Sequence, residues 1–106
     1  MNIIICGAGK VGFSISKQLS AQGHSVTVID QSSDDIKKIN DTLDVKGIVG
    51  RASLPTVLEN AGTENADMII AVTRNDETNM IVCQLASSLF NVSKKIARIR
   101  TKDFLE

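Results

Sequence analysis

An uninterrupted apolar run, Ile3-Ile4-Ile5-Cys6, stops at Gly7-Ala8-Gly9-Lys10-Val11-Gly12, and from Val11 onward apolar residues recur at helical spacing (Val11, Ile15, Leu19). A short run without polar alternation reads as a strand covered on both faces. Such strands belong to parallel sheets, whose helical crossovers lie over the sheet. The G-x-G-x-x-G spacing at a strand-to-helix junction gives each glycine its own task. Gly7 makes the tight turn, Gly9 lets backbone approach a pyrophosphate, and Gly12 lets helix and strand pack closely. The helix start offers N–H groups without intrahelical partners and the positive end of the helix dipole, which together favour an anion. Ala8, Lys10 and Val11 share this loop, and Lys10 reads as a charge clamp rather than a general base.

The strand–helix alternation continues. Ser25-Val26-Thr27-Val28-Ile29 ends at Asp30, and Gly47-Ile48-Val49-Gly50, Met68-Ile69-Ile70-Ala71-Val72 and Lys95-Ile96-Ala97-Arg98-Ile99 complete five strands. Gly23 stops the first helix. Ser33 is placed to cap a second helix with Asp34 and Asp35 in its first turn and Ile36, Ile39 and Leu43 as its stripe. Ser53 is placed to cap a third, with Pro55 in its first turn, apolar Val57, Leu58 and Ala61, and Gly62 after it. Asp76 and Glu77 open a longer fourth helix, with Ile81, Leu85 and Leu89 expected inward. The resulting βαβαβαβαβ order implies an α/β fold with a doubly wound, Rossmann-like parallel sheet. At 106 residues with 42% hydrophobic residues, residues 1–106 have the size of one domain and enough apolar material for a core. A two-domain enzyme and a disordered chain are excluded.

In such a sheet the ligand sits beyond the carboxyl ends of the strands, and that rule sorts the polar residues. Asp30 follows the glycine loop at close to the ~20-residue separation of the dinucleotide fingerprint, where a carboxylate accepts from an adenosine ribose. Its charge repels a 2′-phosphate and Gln31 follows it, so NAD is favoured over NADP, and other adenosine nucleotides with a free ribose remain open. Gly50-Arg51-Ala52-Ser53 should flank the adenine, and Thr73-Arg74-Asn75 should reach the phosphates or the distal half of the ligand. Arg98, read as lying within a buried strand, needs an anionic ligand or a nearby carboxylate as its partner.

Other classes fall away. Twelve basic residues balance twelve acidic ones, and three Phe without Trp or Tyr offer few stacking surfaces, so no nucleic-acid partner is expected. Cys6 and Cys83 have no companion at metal spacing and read as reduced thiols. His24, at the amino-terminal edge, reads as a surface loop residue. No serine, cysteine or lysine has a visible partner for nucleophilic work, so the domain is expected to bind rather than catalyse. No stretch approaches the ~20 apolar residues of a membrane span, and no cleavable leader is visible at the start.

One resemblance narrows this reading. Val72-Thr73-Arg74-Asn75-Asp76-Glu77-Thr78-Asn79-Met80, then Leu89-Phe90-Asn91-Val92 leading into Lys95-Ile96-Ala97-Arg98-Ile99-Arg100, together with Ile5 to Gly12, resembles the amino-terminal domain of TrkA-type potassium-uptake regulators, of the RCK (or KTN) class. The resemblance covers essentially the whole chain. Its glycine stretch is common to many Rossmann proteins, whereas T-x-x-D-E-x-N-M followed by the I-A-R-I strand is much more specific. It implies a cytoplasmic regulatory subunit, peripheral on the inner face of the cell membrane and bound to a membrane-embedded potassium transporter subunit. It also implies a homo-oligomer, a dimer or a tetramer in the assembled regulator. The domain would sense NAD(H), or ATP/ADP at the same site, through Gly7 to Val11, Asp30, Thr73 with Arg74, and Arg98, and pass a ligand-dependent shape change to the pore. Such domains often carry Gly-Asp or Gly-Asn after the third strand. Gly50-Arg51 departs from that and leaves the choice between NAD and ATP open. A full domain of this type has six parallel strands, and the chain ends at Phe104-Leu105-Glu106 after the fifth, so a fragment of a longer polypeptide is expected. Two alternatives are the cofactor half of an NAD-dependent dehydrogenase and the gating domain of a potassium channel. The latter would carry a pore segment upstream, whereas Met1 opens the first strand directly.

Overall fold

A computed structural model describes residues 1–105; Glu106 lies outside the described residues. The elements are β1 (Asn2–Cys6), α1 (Lys10–Ala21), β2 (Ser25–Asp30), α2 (Ser33–Thr42), β3 (Lys46–Val49), α3 (Pro55–Asn60), β4 (Met68–Ala71), α4 (Asp76–Ser88) and β5 (Lys94–Ala97), with short 3₁₀ turns at Thr63–Asn65 and Lys102–Phe104. The strands form one sheet in the order β3-β2-β1-β4-β5, and every neighbouring pair is parallel. The chain winds outward from β1 to one edge, crosses back through α3, and winds outward to the other. The doubly wound architecture expected from the alternation is the one observed.

The centre of the sheet explains why the apolar runs lack alternation. Ile3, Ile4, Ile5 and Cys6 are each at most 3% exposed, because successive side chains enter opposite faces and both faces are covered. Ile3, Ile5, Val26, Val28 and Ile70 pack with Ile36 and Ile39 of α2, flanked by Phe13, Ile15 and Leu19 of α1. Ile4, Cys6, Ile29, Ile69 and Ala71 pack on the other face with Leu58 of α3 and Val82 and Ala86 of α4. Burying one such isoleucine contributes about 1.5–3 kcal/mol. No helix among the described residues is long and apolar enough to cross a membrane.

Four local expectations are corrected. The cap of α2 is Ser32, not Ser33; its hydroxyl accepts from the Asp35 N–H at 3.2 Å. Ser53 does not cap α3: Leu54 occupies that position without a side-chain bond. Pro55 at the first helical position has no N–H to satisfy, which reduces the need for a cap. On α1 the buried positions are Gly12 and Ser16, while Val11 is exposed at the cleft. The buried face of α4 is Asp76, Asn79, Val82 and Ala86, while Ile81 and Leu89 are 46% and 55% exposed. Polar anchors at the start of α4 and small residues further along set its rotation, and these compete poorly with bulky aliphatics when periodicity alone is weighed. Finally, Arg98 lies just past β5, and β5 is an edge strand whose residues are mostly exposed.

Candidate functional site

Beyond the carboxyl ends of the strands lies a cleft of about 800 Å³. Its first wall is the turn from β1 into α1. Gly7 has φ +118°, and a Cβ there would come within 2.7 Å of the Val72 carbonyl oxygen. A Cβ on Gly12 would overlap the Gly7 carbonyl. Both positions are therefore glycine for the fold's own sake. Gly9 differs. It is extended (φ −73°, ψ −163°), and a Cβ on it would meet no heavy atom within 4 Å. It lines the cleft and precedes the first turn of α1, whose leading N–H groups have no intrahelical acceptor. No side chain caps this helix start.

Asp30 closes the second wall. Its Oδ2 accepts from the Ala8 N–H and its Oδ1 from the Ser32 N–H, both at 2.8 Å. The carboxylate thus ties the glycine loop to the end of β2. Each oxygen keeps a further lone pair for an incoming hydroxyl. Gln31 and Asp35 lie beside it, and Arg51, Ala52 and Ser53 line the cleft from the end of β3.

The third wall is built from side chains. Asn79 lies at the cleft's foundation, fully buried on α4. Its Oδ1 accepts from the Thr73 N–H at 2.9 Å and the Thr73 hydroxyl at 2.7 Å. Its Nδ2 donates to the carbonyls of Thr73 (3.2 Å) and Arg98 (2.8 Å). Arg98 Nη2 donates to the carbonyls of Val72 (3.1 Å) and Thr73 (2.7 Å), while its Nε–H is buried without a partner. The partner expected for Arg98 was an anion or a carboxylate; the observed partners are backbone carbonyls. Arg100 donates to the Arg74 carbonyl at 2.9 Å. Asp76 accepts from the N–H groups of Arg100 (3.1 Å) and Thr101 (2.8 Å). The Thr101 side chain first, then these two amides, hold its carboxyl below the usual range. The side chain of Asn75 caps α4 by accepting from the Thr78 N–H at 2.7 Å.

Gly7, Gly9, Lys10, Val11, Asp30 and Gln31 meet Ala52, Ser53, Thr73, Arg74 and Arg98 around this one cleft. Two candidates stay off its surface: Ala8 is buried with its N–H on Asp30, and Gly12 packs against Gly7. Sequence reasoning missed Asp35, Thr78 and Arg100 in the lining, and Asn79 and Asp76 beneath it. The motif T-x-x-D-E-x-N-M contained most of the signal, but no spacing rule assigns those side chains a task. The cleft gathers Lys10, Arg51, Arg74, Arg98 and Arg100 against only Asp30 and Asp35, on a chain with no net charge. The cysteines and His24 lie elsewhere. Burial pushes the Cys6 thiol far up and raises that of Cys83, opposed by Lys95. His24 Nδ1 sits 3.1 Å from the N-terminal amine.

The sheet order, the glycine turn and the crevice at the carboxyl edge define a domain of the doubly wound, Rossmann-like class. Within that class the chain belongs to the TrkA-N domain family, which it matches over residues 3–106. It is 50% identical over its whole length to a Trk system potassium uptake protein TrkA from Azorhizobium caulinodans, and spans 23% of that relative. The TrkA-N domain of the Escherichia coli inner membrane protein ybaL superposes with a TM-score of 0.83 at 23% identity, covering 96% of this chain and 75% of that one. The Shewanella denitrificans Kef CTD in its AMP-bound form superposes with a TM-score of 0.77 at 26% identity, covering 91% of this chain and 57% of that one.

Proposed function

We propose that this domain is the nucleotide-sensing module of a potassium-uptake system. Its ligand would be NAD(H), or ATP/ADP at the same site. One observation carries the reading: Gly9 is a glycine the fold does not need, at the mouth of a helix start with no side-chain cap. A Cβ there would meet no other atom, so the fold itself does not demand a glycine, and the bare backbone leaves room for a ligand to approach. Phosphates would take the leading N–H groups of α1 and the charges of Lys10, Arg74 and Arg98. The ribose would take the remaining lone pairs of Asp30, and the adenine would lie against Ala52 and Ser53. An AMP-bound relative of the same fold supports the adenosine half.

The relatives' involvement in potassium uptake supports the rest of the proposal. The chain acts as part of a regulatory subunit, in a homo-oligomer (a dimer, or a tetramer in the assembled regulator), docked on a membrane-embedded potassium transporter subunit at the inner face of the membrane. Residues 1–106 would then be the amino-terminal domain of a longer regulator. Ligand-dependent conformational change would gate transport, which requires two ligands to bind two states with different relative affinities. The domain would not turn its ligand over. Its cleft is lined by five cationic side chains against the carboxylates of Asp30 and Asp35, Asp30 being tied to two backbone amides, and the thiols and the imidazole lie outside it. The test is titration calorimetry of the chain with NAD+, NADH, ATP and ADP. Saturable binding of at least one supports the reading, and absence of heat with all four overturns it.

A further inference from the structure

Asn79 touches nothing in the cleft, yet every partner of its carboxamide belongs to the cleft wall. A carboxamide offers two acceptor and two donor positions, and all are used: two accept from Thr73 and two donate to Thr73 and Arg98. All three polar groups of Thr73, its N–H, hydroxyl and carbonyl, converge on this one side chain. The Arg98 guanidinium returns across the same junction to the carbonyls of Val72 and Thr73. The loop leaving β4 and the segment leaving β5 are therefore joined by the buried Asn79 carboxamide together with the Arg98 guanidinium. A buried apolar residue would fill the space under α4 with no polar groups to satisfy, whereas a saturated polar network fixes orientation. The orientation fixed here is that of Thr73 and Arg98, two residues facing the proposed ligand.

We propose that Asn79 is a positioning residue for nucleotide binding, acting through Thr73 and Arg98 to hold the distal wall of the cleft in its binding geometry. This rests on the nucleotide reading above. Its signature is coupling. Removing Asn79 should weaken binding because Arg98 is released, so the two losses should overlap rather than multiply.

The experiment is calorimetry with NADH and with ATP on the wild-type chain, Asn79→Ala, Arg98→Ala and the double variant. Thr63→Val serves as control. Thr63 is fully buried, donates to the Leu58 carbonyl at 2.7 Å and lies away from the cleft. All are assayed below the onset of their own thermal transition. The expected result is that Asn79→Ala raises the Kd of the tighter ligand by at least about tenfold, that the double variant binds no worse than the weaker single variant, and that Thr63→Val lowers the melting midpoint with Kd unchanged. Wild-type affinity in folded Asn79→Ala overturns the proposal, as do losses that multiply in the double variant. A wild-type chain that binds neither ligand overturns the nucleotide reading itself, a different result from a wild type that binds and a variant that binds equally well. Should Asn79→Ala not fold, the wild-type Asn79 side-chain NH₂ resonances decide. A shift on saturation with ligand supports positioning, and an unmoved signal overturns it.

Discussion

The two sides of the cleft are built by opposite means. On the β1–β2 side the wall is backbone: a turn, a helix start and one carboxylate that ties two amides together. On the β4–β5 side it is side chain: Asn79, Arg98, Asp76 and Arg100 knit two chain segments together. The first side is set by what must be absent, since Gly7 and Gly12 leave no room for a Cβ. The second is set by what must be present and oriented. A backbone wall tolerates few residues but leaves a spacing signature. A side-chain wall can be assembled in many ways and leaves almost none.

The sharpest break falls on the backbone side. Gly12→Ala sets a methyl group into the Gly7 carbonyl, and backbone cannot yield as a side chain can. The expected loss is at least about 3 kcal/mol, the upper range of overpacking, read as a collapse of the denaturation midpoint. A near-native midpoint would show that helix and strand can separate without penalty, which the packing denies.

Gly9→Val divides fold from binding on the same wall. The melting temperature should stay close to wild type because a Cβ at this position meets no other atom, while NADH or ATP affinity falls by more than about 1.4 kcal/mol, tenfold. A folded variant with wild-type affinity would remove the glycine loop from the site.

Asp30→Ala should act on both counts. NAD affinity is expected to drop by about 1–3 kcal/mol, the range for hydrogen bonds to a charged group plus the loosened loop. NADP+, relieved of a repelling carboxylate, should lose less. Competition titrations decide this, and a native protein that binds NADP+ as tightly as NAD+ contradicts the role given to Asp30.

The smallest effect belongs to the side-chain wall. The Asp76 carboxyl is held below its ordinary value by the Thr101 side chain and the amides of Arg100 and Thr101. A depressed folded-state value contributes stability that is complete above the unfolded value of about 3.9 and is lost as pH falls through the folded one. Asp76→Asn should therefore be less stable than wild type at neutral pH, with the gap narrowing only below about pH 4. Denaturant titrations from pH 3 to pH 7 read this directly, and a gap that widens in acid would reverse the sign assigned here.

This contrast also marks what the sequence could reveal. The sheet, its winding and the backbone wall were legible because glycine spacing and unbroken apolar runs have few physical alternatives. The rotation of α4 was not. Ile81 and Leu89 outweigh Val82 and Ala86 in any hydrophobic count, yet the helix turns on buried Asp76 and Asn79, whose partners lie in the segments that follow β4 and β5. The partners of Arg98 within the chain were hidden for a related reason. Its residue type demanded a partner, but a carbonyl at the end of the neighbouring strand carries no sequence mark. Ser32 and Ser33 are equally good caps by type, and only the backbone bend at Ser32 separates them.

The outer side of β5 has a consequence for the chain before any further strand covers it. Among the described residues β5 bonds only to β4, leaving one row of backbone donors and acceptors able to accept a strand from a neighbouring chain, with Ile96 52% exposed beside it. Lys94 and Lys95, exposed at the start of that strand, place like charges side by side wherever two such edges approach in register. Charged edge residues act as gatekeepers against edge-to-edge aggregation. Lys94→Val, which removes a charge with no partner in the fold or the cleft among the described residues and spares the bond from Lys95 to the Val92 carbonyl, should lower the concentration at which refolding chains precipitate.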